Sequence, residues 1–304
     1  MTIVYLGIFL IITSIHCYLD VPLEAKMTTV EMILHHGYPA QKFHAYTTDG
    51  YILELHRIPF GKNNSFTKCR RNRPVFLQHG LLGSSADWVE NLPNESFVHI
   101  NFISRPEDGR TKRHSNWDSD KCWDEMAKFD LDAMFNVVLN ETKQNSLYYI
   151  GYSQGTLIMF AKLSQDSNFS SKSRLVVYIA GEGGTSVMNI IHWIQLVNSQ
   201  KIQAYNYDSV KENRLHYGRD SPPIYNISSI HVPIYLYWSK NDWLASAADI
   251  EKSLLSVLPK KSIRGRNVLK DFNHLDFIWG LRASHEIYHP IISIINKEND
   301  TGIV

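Results

Sequence analysis

Several features are missing from this chain, and each absence removes a class of function. No G-x-x-x-x-G-K-S/T loop, no G-x-G-x-x-G fingerprint and no C-x-x-C pair occurs, so no nucleotide, flavin or zinc is indicated and no cofactor is expected. Charge of one sign is also lacking. The 31 Lys and Arg balance 30 Asp and Glu, which leaves no field to hold nucleic acid and no polybasic patch for a membrane. The run Lys68, Arg70, Arg71 and Arg73 reads as a solvated loop before a strand. With 3 cysteines in 304 residues, the fold is not built on disulfides. Beyond Cys17 only Cys69 and Cys122 remain, either as one bridge or as two buried thiols. No internal repeat or low-complexity tract is present.

Long apolar runs are scarce as well. Residues 2–15 form one, shorter than the roughly 20 residues that span a bilayer, so no stable transmembrane segment is expected. Followed by His16-Cys17-Tyr18, it reads as a secretory signal peptide over residues 1–17. Its start lacks Lys and Arg, which leaves a buried strand or an uncleaved anchor as alternatives. Export is supported by N-x-S/T sequons at Asn63, Asn94, Asn140, Asn168, Asn226 and Asn299, the acceptors for glycosylation.

What the chain does contain is a large apolar share, 44%, enough for one large α/β domain. Thr48-Asp49-Gly50 between two alternating runs predicts a hairpin, because Asp-Gly supplies positive φ. Residues 74–78, 147–150, 174–180, 232–238 and 263–269 read as strands, with a further one at 97–103. Helical spacing covers 28–36, 122–141, 185–198, 247–258 and 281–296, while the segment before Pro222-Pro223 reads as polar connection. Strands alternating with helices predict a mostly parallel sheet covered on both faces. The organisation is a leader (1–17), an N-terminal segment of helix plus hairpin (18–73) and a catalytic α/β domain (74–298).

Within that pattern Gly151-Tyr152-Ser153-Gln154-Gly155 follows an apolar strand and opens a helix. A sharp strand-to-helix turn with two glycines presents a serine hydroxyl as a nucleophile, the alternative being a plain turn with a surface serine. A serine needs a base and an orienting acid. In strand–turn–helix sites of this type they follow in the order acid, then histidine, on loops after later strands. Asp242, just past the strand 232–238, fits the acid, although it could instead cap the next helix. Among 14 histidines only His274 lies between the last strand and the last helix. His274 would take the proton of Ser153, and Asp242 would fix the imidazole tautomer. Developing oxyanion charge calls for N–H donors, expected from Gln154 and from Leu81 in the loop His79-Gly80-Leu81-Leu82-Gly83.

These residues, with Thr48-Asp49-Gly50-Tyr51-Ile52-Leu53, Phe76-Leu77-Gln78-His79-Gly80-Leu81-Leu82, Asp124-Glu125-Met126-Ala127-Lys128-Phe129-Asp130-Leu131 and Asn273-His274-Leu275-Asp276-Phe277-Ile278-Trp279, resemble the acid lipase family of the α/β-hydrolases. The family comprises gastric and lysosomal acid lipases and their invertebrate relatives. The resemblance implies an α/β-hydrolase fold and a glycosylated, secreted or lysosomal enzyme. Such an enzyme cleaves neutral lipid esters, triacylglycerols or cholesteryl esters, at a lipid–water interface. It also places Ser153, Asp242 and His274 on the family's triad motifs, and Leu81 and Gln154 on its oxyanion positions. Two departures stand out. Near Ala180/Gly181 a cap-and-lid insertion on the order of a hundred residues is absent. A shorter gap falls within 98–113, where Pro106 replaces a glycine. Losing a cap exposes apolar surface, which leaves two alternatives to a lipase: a weakly catalytic protein binding lipid or a partner, or an esterase of small soluble esters.

Overall fold

The computed structural model describes residues 22–62, 73–97, 102–105, 111–112, 122–179 and 186–301. The leader, Asn63, Cys69, Pro106 and the Ala180/Gly181 junction lie outside these. Helix α1 (Thr29–His35) opens with a reciprocal capping box between Thr28 and Glu31 and stops at Gly37, whose φ is +78°. The predicted hairpin follows as β1 (Gln41–Tyr46) and β2 (Tyr51–Arg57), antiparallel, with Gly50 at φ +93° in the turn. Next along the chain come β3 (Val75–Gln78), β4 (Phe102–Arg105) and β5 (Thr111–Lys112). Of the strand expected over 97–103, residues 98–101 lie outside the described residues, and Phe102 and Ile103 belong to β4. A π-helical turn, Met126–Asp130, leads into α2 (Leu131–Thr142).

Strand β6 (Leu147–Tyr152), α3 (Gln154–Gln165) and β7 (Ser173–Ile179) form the centre, followed by α4 (Val187–Ser199) and α5 (Val210–Tyr217). The chain closes with β8 (Ile234–Ser239), β9 (Ile263–Leu269) and α6 (His289–Thr301). The sheet runs β1-β2-β4-β3-β6-β7-β8-β9, parallel from β4 to β9, with β5 on β2. From β3 the chain moves outward to β4, then returns to lay β6 on the other side of β3. A crevice forms at such a reversal, at the carboxyl ends of the strands.

Successive side chains of the central strands enter opposite cores, as a strand's period of two requires. Phe76, Tyr149, Val176 and Leu236 pack with α2 and α3, whereas Leu77, Tyr148, Ile150 and Tyr237 pack with α1 and α6. Both faces of the sheet are therefore covered, and fully burying each large apolar side chain contributes roughly 1.5–3 kcal/mol.

Three elements differ from expectation; one is the helix expected over 281–296, which begins as a π-helical turn, Ser284–Tyr288, before α6. Helix α5 occupies the segment read as polar connection; Ser209 caps it by accepting the Glu212 N–H, and Gly218 at φ +69° ends it. The helix expected over 247–258 is a short turn, Ala247–Asp249, running into a π-helical turn, Ile250–Leu254, ahead of Pro259. Helix α4 packs Trp193 and Leu196 against the core but mixes polar side chains into that face. Its buried positions include Asn189 and His192, while Val187, Ile190, Ile191, Ile194 and Val197 are exposed. Only residues 180–186 separate it from β7. Among the described residues no helix is long and apolar enough to cross a membrane.

Candidate active site

Strand β6 is buried along its whole length and ends at Tyr152, so the chain must reverse at once into α3. Ser153 carries that reversal at φ 52°, ψ −118°, a region costing roughly 1–3 kcal/mol for a residue with a side chain. Both glycines of the motif are required by proximity. A Cβ on Gly151 would lie 2.8 Å from the Thr156 nitrogen, and one on Gly155 would lie 2.6 Å from the Gln78 carbonyl oxygen. The second contact presses the start of α3 against the end of β3, the strand that leads into the expected oxyanion loop. Tyr149 donates its hydroxyl to the Gly155 carbonyl (2.6 Å) and Thr156 to that of Gly151 (2.8 Å). Burial holds the Tyr149 phenol far above its ordinary pKa, so it remains a donor.

Asp242 and His274 meet. His274 Nδ1 lies 2.8 and 2.7 Å from the two carboxylate oxygens, and both residues are buried. Asp242 Oδ1 also accepts the Leu244 and Ala245 N–H groups at 2.9 Å each, so the residue caps the next turn and holds the imidazole together. The His274 backbone is fixed from β6, the strand that ends at Ser153, since the Tyr152 hydroxyl donates to its carbonyl (3.1 Å). Asn273 Oδ1 accepts the Leu275 and Asp276 N–H groups, which shapes the turn that presents the ring. His274 Nε2 is buried and makes no hydrogen bond among the described residues. Catalytic hydrogen bonds commonly tighten only with substrate.

The loop after β3 turns at Leu82 (φ 66°), burying Leu81 and exposing Leu82. A cleft of about 190 Å³ lies beside it, lined by Leu82, Gly83, Asp87, Tyr152, Leu275, Ile278 and Trp279. It adjoins the end of β6, the turn that carries His274 and the loop after β3 at once. Sequence reasoning missed Tyr152, Asp87 and the Leu275–Ile278–Trp279 wall as lining of this cleft. The 275, 278, 279 spacing was the available signal, being one face of a helical turn.

A second cluster lies behind α3. His192 is set by the Gln203 carbonyl at Nε2 (2.9 Å), which leaves Nδ1 as the acceptor facing Cys122 Sγ at 3.0 Å. Cys122 is a free, buried thiol, its pKa pushed well up by burial. Asp124 accepts from the Tyr225 hydroxyl (2.5 Å) and the Tyr205 N–H (2.7 Å). The Cys122, Asp124 and His192 ligand atoms could approach one ion, yet each already has a protein partner.

Burial pushes Asp124 up to about 7, and burial followed by the Glu90 charge does the same for Asp87. Burial moves His192 the other way, to about 4. The two carboxyls bind protons more tightly folded than unfolded, so they stabilise the fold as pH falls from 7; His192 opposes this, because only the unfolded chain protonates there. The melting temperature is therefore expected to be higher at pH 5 than at pH 7, by thermal denaturation. Asp87→Asn and Asp124→Asn should each flatten that slope. A melting temperature that fell between pH 7 and pH 5 would contradict the assignment.

Of the sequons, Asn94, Asn140, Asn168 and Asn226 are exposed. Asn299 is half-buried and accepts the Tyr148 hydroxyl at 3.2 Å, which disfavours a glycan there.

The profile of the partial alpha/beta-hydrolase lipase region matches residues 29–92, and that of the alpha/beta hydrolase fold matches residues 73–174. Lipase lipl-1 of Caenorhabditis elegans is 34% identical, with 92% of this chain and 94% of the relative covered. Human gastric triacylglycerol lipase is 32% identical, covering 90% and 92%. The chain belongs to the acid lipase family. A third member, the lysosomal acid lipase/cholesteryl ester hydrolase of Macaca fascicularis, is 30% identical over 90% of this chain and 92% of its own. The pairing with the nematode lipase extends over 382 positions against 304 residues here, so that family member carries long insertions relative to this one. Among solved structures, an esterase from Pyrococcus furiosus superposes with a TM-score of 0.55 at 14% identity, covering 87% of this chain and 95% of that one. Naproxen esterase from Bacillus subtilis does so at 0.52 and 14%, covering 88% and 95%. Both share the α/β-hydrolase fold.

Proposed function

We propose that the protein is a serine lipase that cleaves neutral lipid esters through an acyl-enzyme on Ser153. The observation that carries this reading is the buried Asp242–His274 pair, tied through Tyr152 to the strand that ends in the strained Ser153 turn. His274 Nε2 removes the hydroxyl proton as Ser153 Oγ attacks the ester carbonyl, and returns it to the departing alcohol. Water then repeats the sequence and releases the acid. Asp242 holds Nδ1–H and stabilises the imidazolium. The N–H groups of Leu81 and Gln154 receive the oxyanion; the latter stands at the first position of α3, where helix N–H groups are unpaired and the dipole favours negative charge.

The substrate class follows from the relatives' names, triacylglycerol and cholesteryl ester, and from surface chemistry. Leu82, Trp243, Leu244, Leu275 and Trp279 are exposed next to catalytic positions, giving the mouth an apolar rim suited to a lipid–water interface. Residues 1–17 act as a signal peptide, 18–73 as the N-terminal segment and 74–298 as the catalytic domain. The enzyme is exported or lysosomal, with glycans at exposed sequons. One experiment tests the whole reading: secretion of the full chain from eukaryotic cells, its intact mass, and its rates on tributyrin emulsion and on soluble p-nitrophenyl acetate. Emulsion hydrolysis and a glycan-bearing mass starting beyond residue 17 are expected. Activity on the soluble ester alone would replace the lipase with a simple esterase.

A further inference from the structure

We propose that Asn189 and Trp193 on α4 are positioning residues that hold the oxyanion hole through the side chain of Gln154; this rests on the acyl-enzyme reading above. Gln154 contributes its backbone N–H to catalysis, yet its side chain is buried and held at both ends of its amide. Asn189 Nδ2 and Trp193 Nε1 both donate to its Oε1, each at 2.8 Å, and its amide nitrogen faces Met126 Sδ at 3.6 Å. Asn189 is held in turn, since its Oδ1 accepts the Trp123 N–H (3.1 Å) and its own N–H donates to Ser186 Oγ (3.1 Å). The Trp123 bond fixes which end of the Asn189 amide donates, and so fixes that Gln154 presents oxygen.

Both lone pairs of one buried oxygen are thus used by one helix. The Gln154 side chain cannot turn without leaving buried donors unpaired, a cost of roughly 1–3 kcal/mol for each group. The first residue of α3 is therefore clamped through its own side chain. This also explains why α4 buries a polar side chain at Asn189. Apolar packing would tolerate sliding, whereas directed hydrogen bonds set one position.

Trp193→Phe removes a single N–H and keeps the ring; Asn189→Leu removes the second donor. Each is expected to lower kcat roughly tenfold, a fraction of the 10²–10³ lost with a whole oxyanion donor, with KM unchanged and both limbs of the pH profile unmoved. Phosphonylation of Ser153 by a p-nitrophenyl phosphonate should slow in parallel. In a Gln154→Met background Trp193→Phe should have no further effect, because the acceptor is gone. A readout without turnover separates this proposal from the lipase reading. In protein labelled with ¹⁵N-glutamine, the Gln154 amide signal, identified by its loss in Gln154→Met, should shift or broaden in Trp193→Phe. An unmoved signal, an unchanged kcat in the folded Trp193→Phe enzyme, or an undiminished effect in the Gln154→Met background would each overturn the clamp. Should Asn189→Leu fail to fold, Trp193→Phe alone decides.

Discussion

Ser153→Ala is expected to reduce ester hydrolysis to background, a loss on the order of 10⁶-fold in kcat, since removing the nucleophile of a serine triad disables its base as well. The loss should come without unfolding. Ser153 is half-buried, and alanine occupies the same strained backbone at φ 52° with the same difficulty. Glycine would not: Ser153→Gly should be equally inactive yet more stable, by up to the roughly 1–3 kcal/mol that such a conformation costs. Activity assays and denaturant melts on the two variants give both numbers. A folded alanine variant retaining more than a small percentage of wild-type activity would remove Ser153 from the mechanism.

Asp242→Asn should cost about 10⁴ in kcat, and the hydrogen bonds say why. Oδ1 accepts two backbone N–H groups, from Leu244 and Ala245, so an asparagine must keep its oxygen there. Its NH₂ then faces His274 Nδ1, which has to become an acceptor. The ring proton moves to Nε2, the nitrogen that should take the proton of Ser153. The structure is preserved while the tautomer is inverted. The variant should therefore bind substrate normally, with KM little changed, and its residual rate should rise at high pH, where hydroxide can replace the lost base. A kcat within tenfold of wild type would mean that Asp242 serves only as a helix cap.

The legibility of the Ser153 turn and of the Asp242–His274 pair in the sequence has a physical basis. A strand-to-helix turn at positive φ needs small neighbours, so Gly151 and Gly155 mark Ser153 locally. Asp242 and His274 were found from their places after β8 and β9, because topology delivers strand ends to one crevice. The hairpin and α1 were legible through Gly50, Thr28 and Gly37, residues whose backbone roles are fixed within a few positions. Helix α5 was not, since Val-Lys-Glu-Asn-Arg-Leu-His-Tyr carries no apolar stripe; Ser209, Glu212 and Gly218 were its only signals. The Gln154 clamp was hidden for another reason. Its partners are 35 and 39 residues away, and a buried asparagine looks like a surface one until its neighbours are known.

The seven-residue join between β7 and α4 has a wider meaning for the family. Loop-closure free energy grows only with the logarithm of length, about 0.6 kcal/mol per doubling, so stretching that join to about a hundred residues would cost roughly 2–3 kcal/mol. The Ser153 turn and the α4 clamp stand on either side of it, each anchored by its own contacts. Ser186, which caps α4 and holds Asn189, is the one residue of the join that such a change would have to keep. A long segment inserted at this join would therefore add little to the free energy of closing the chain, whatever it covered.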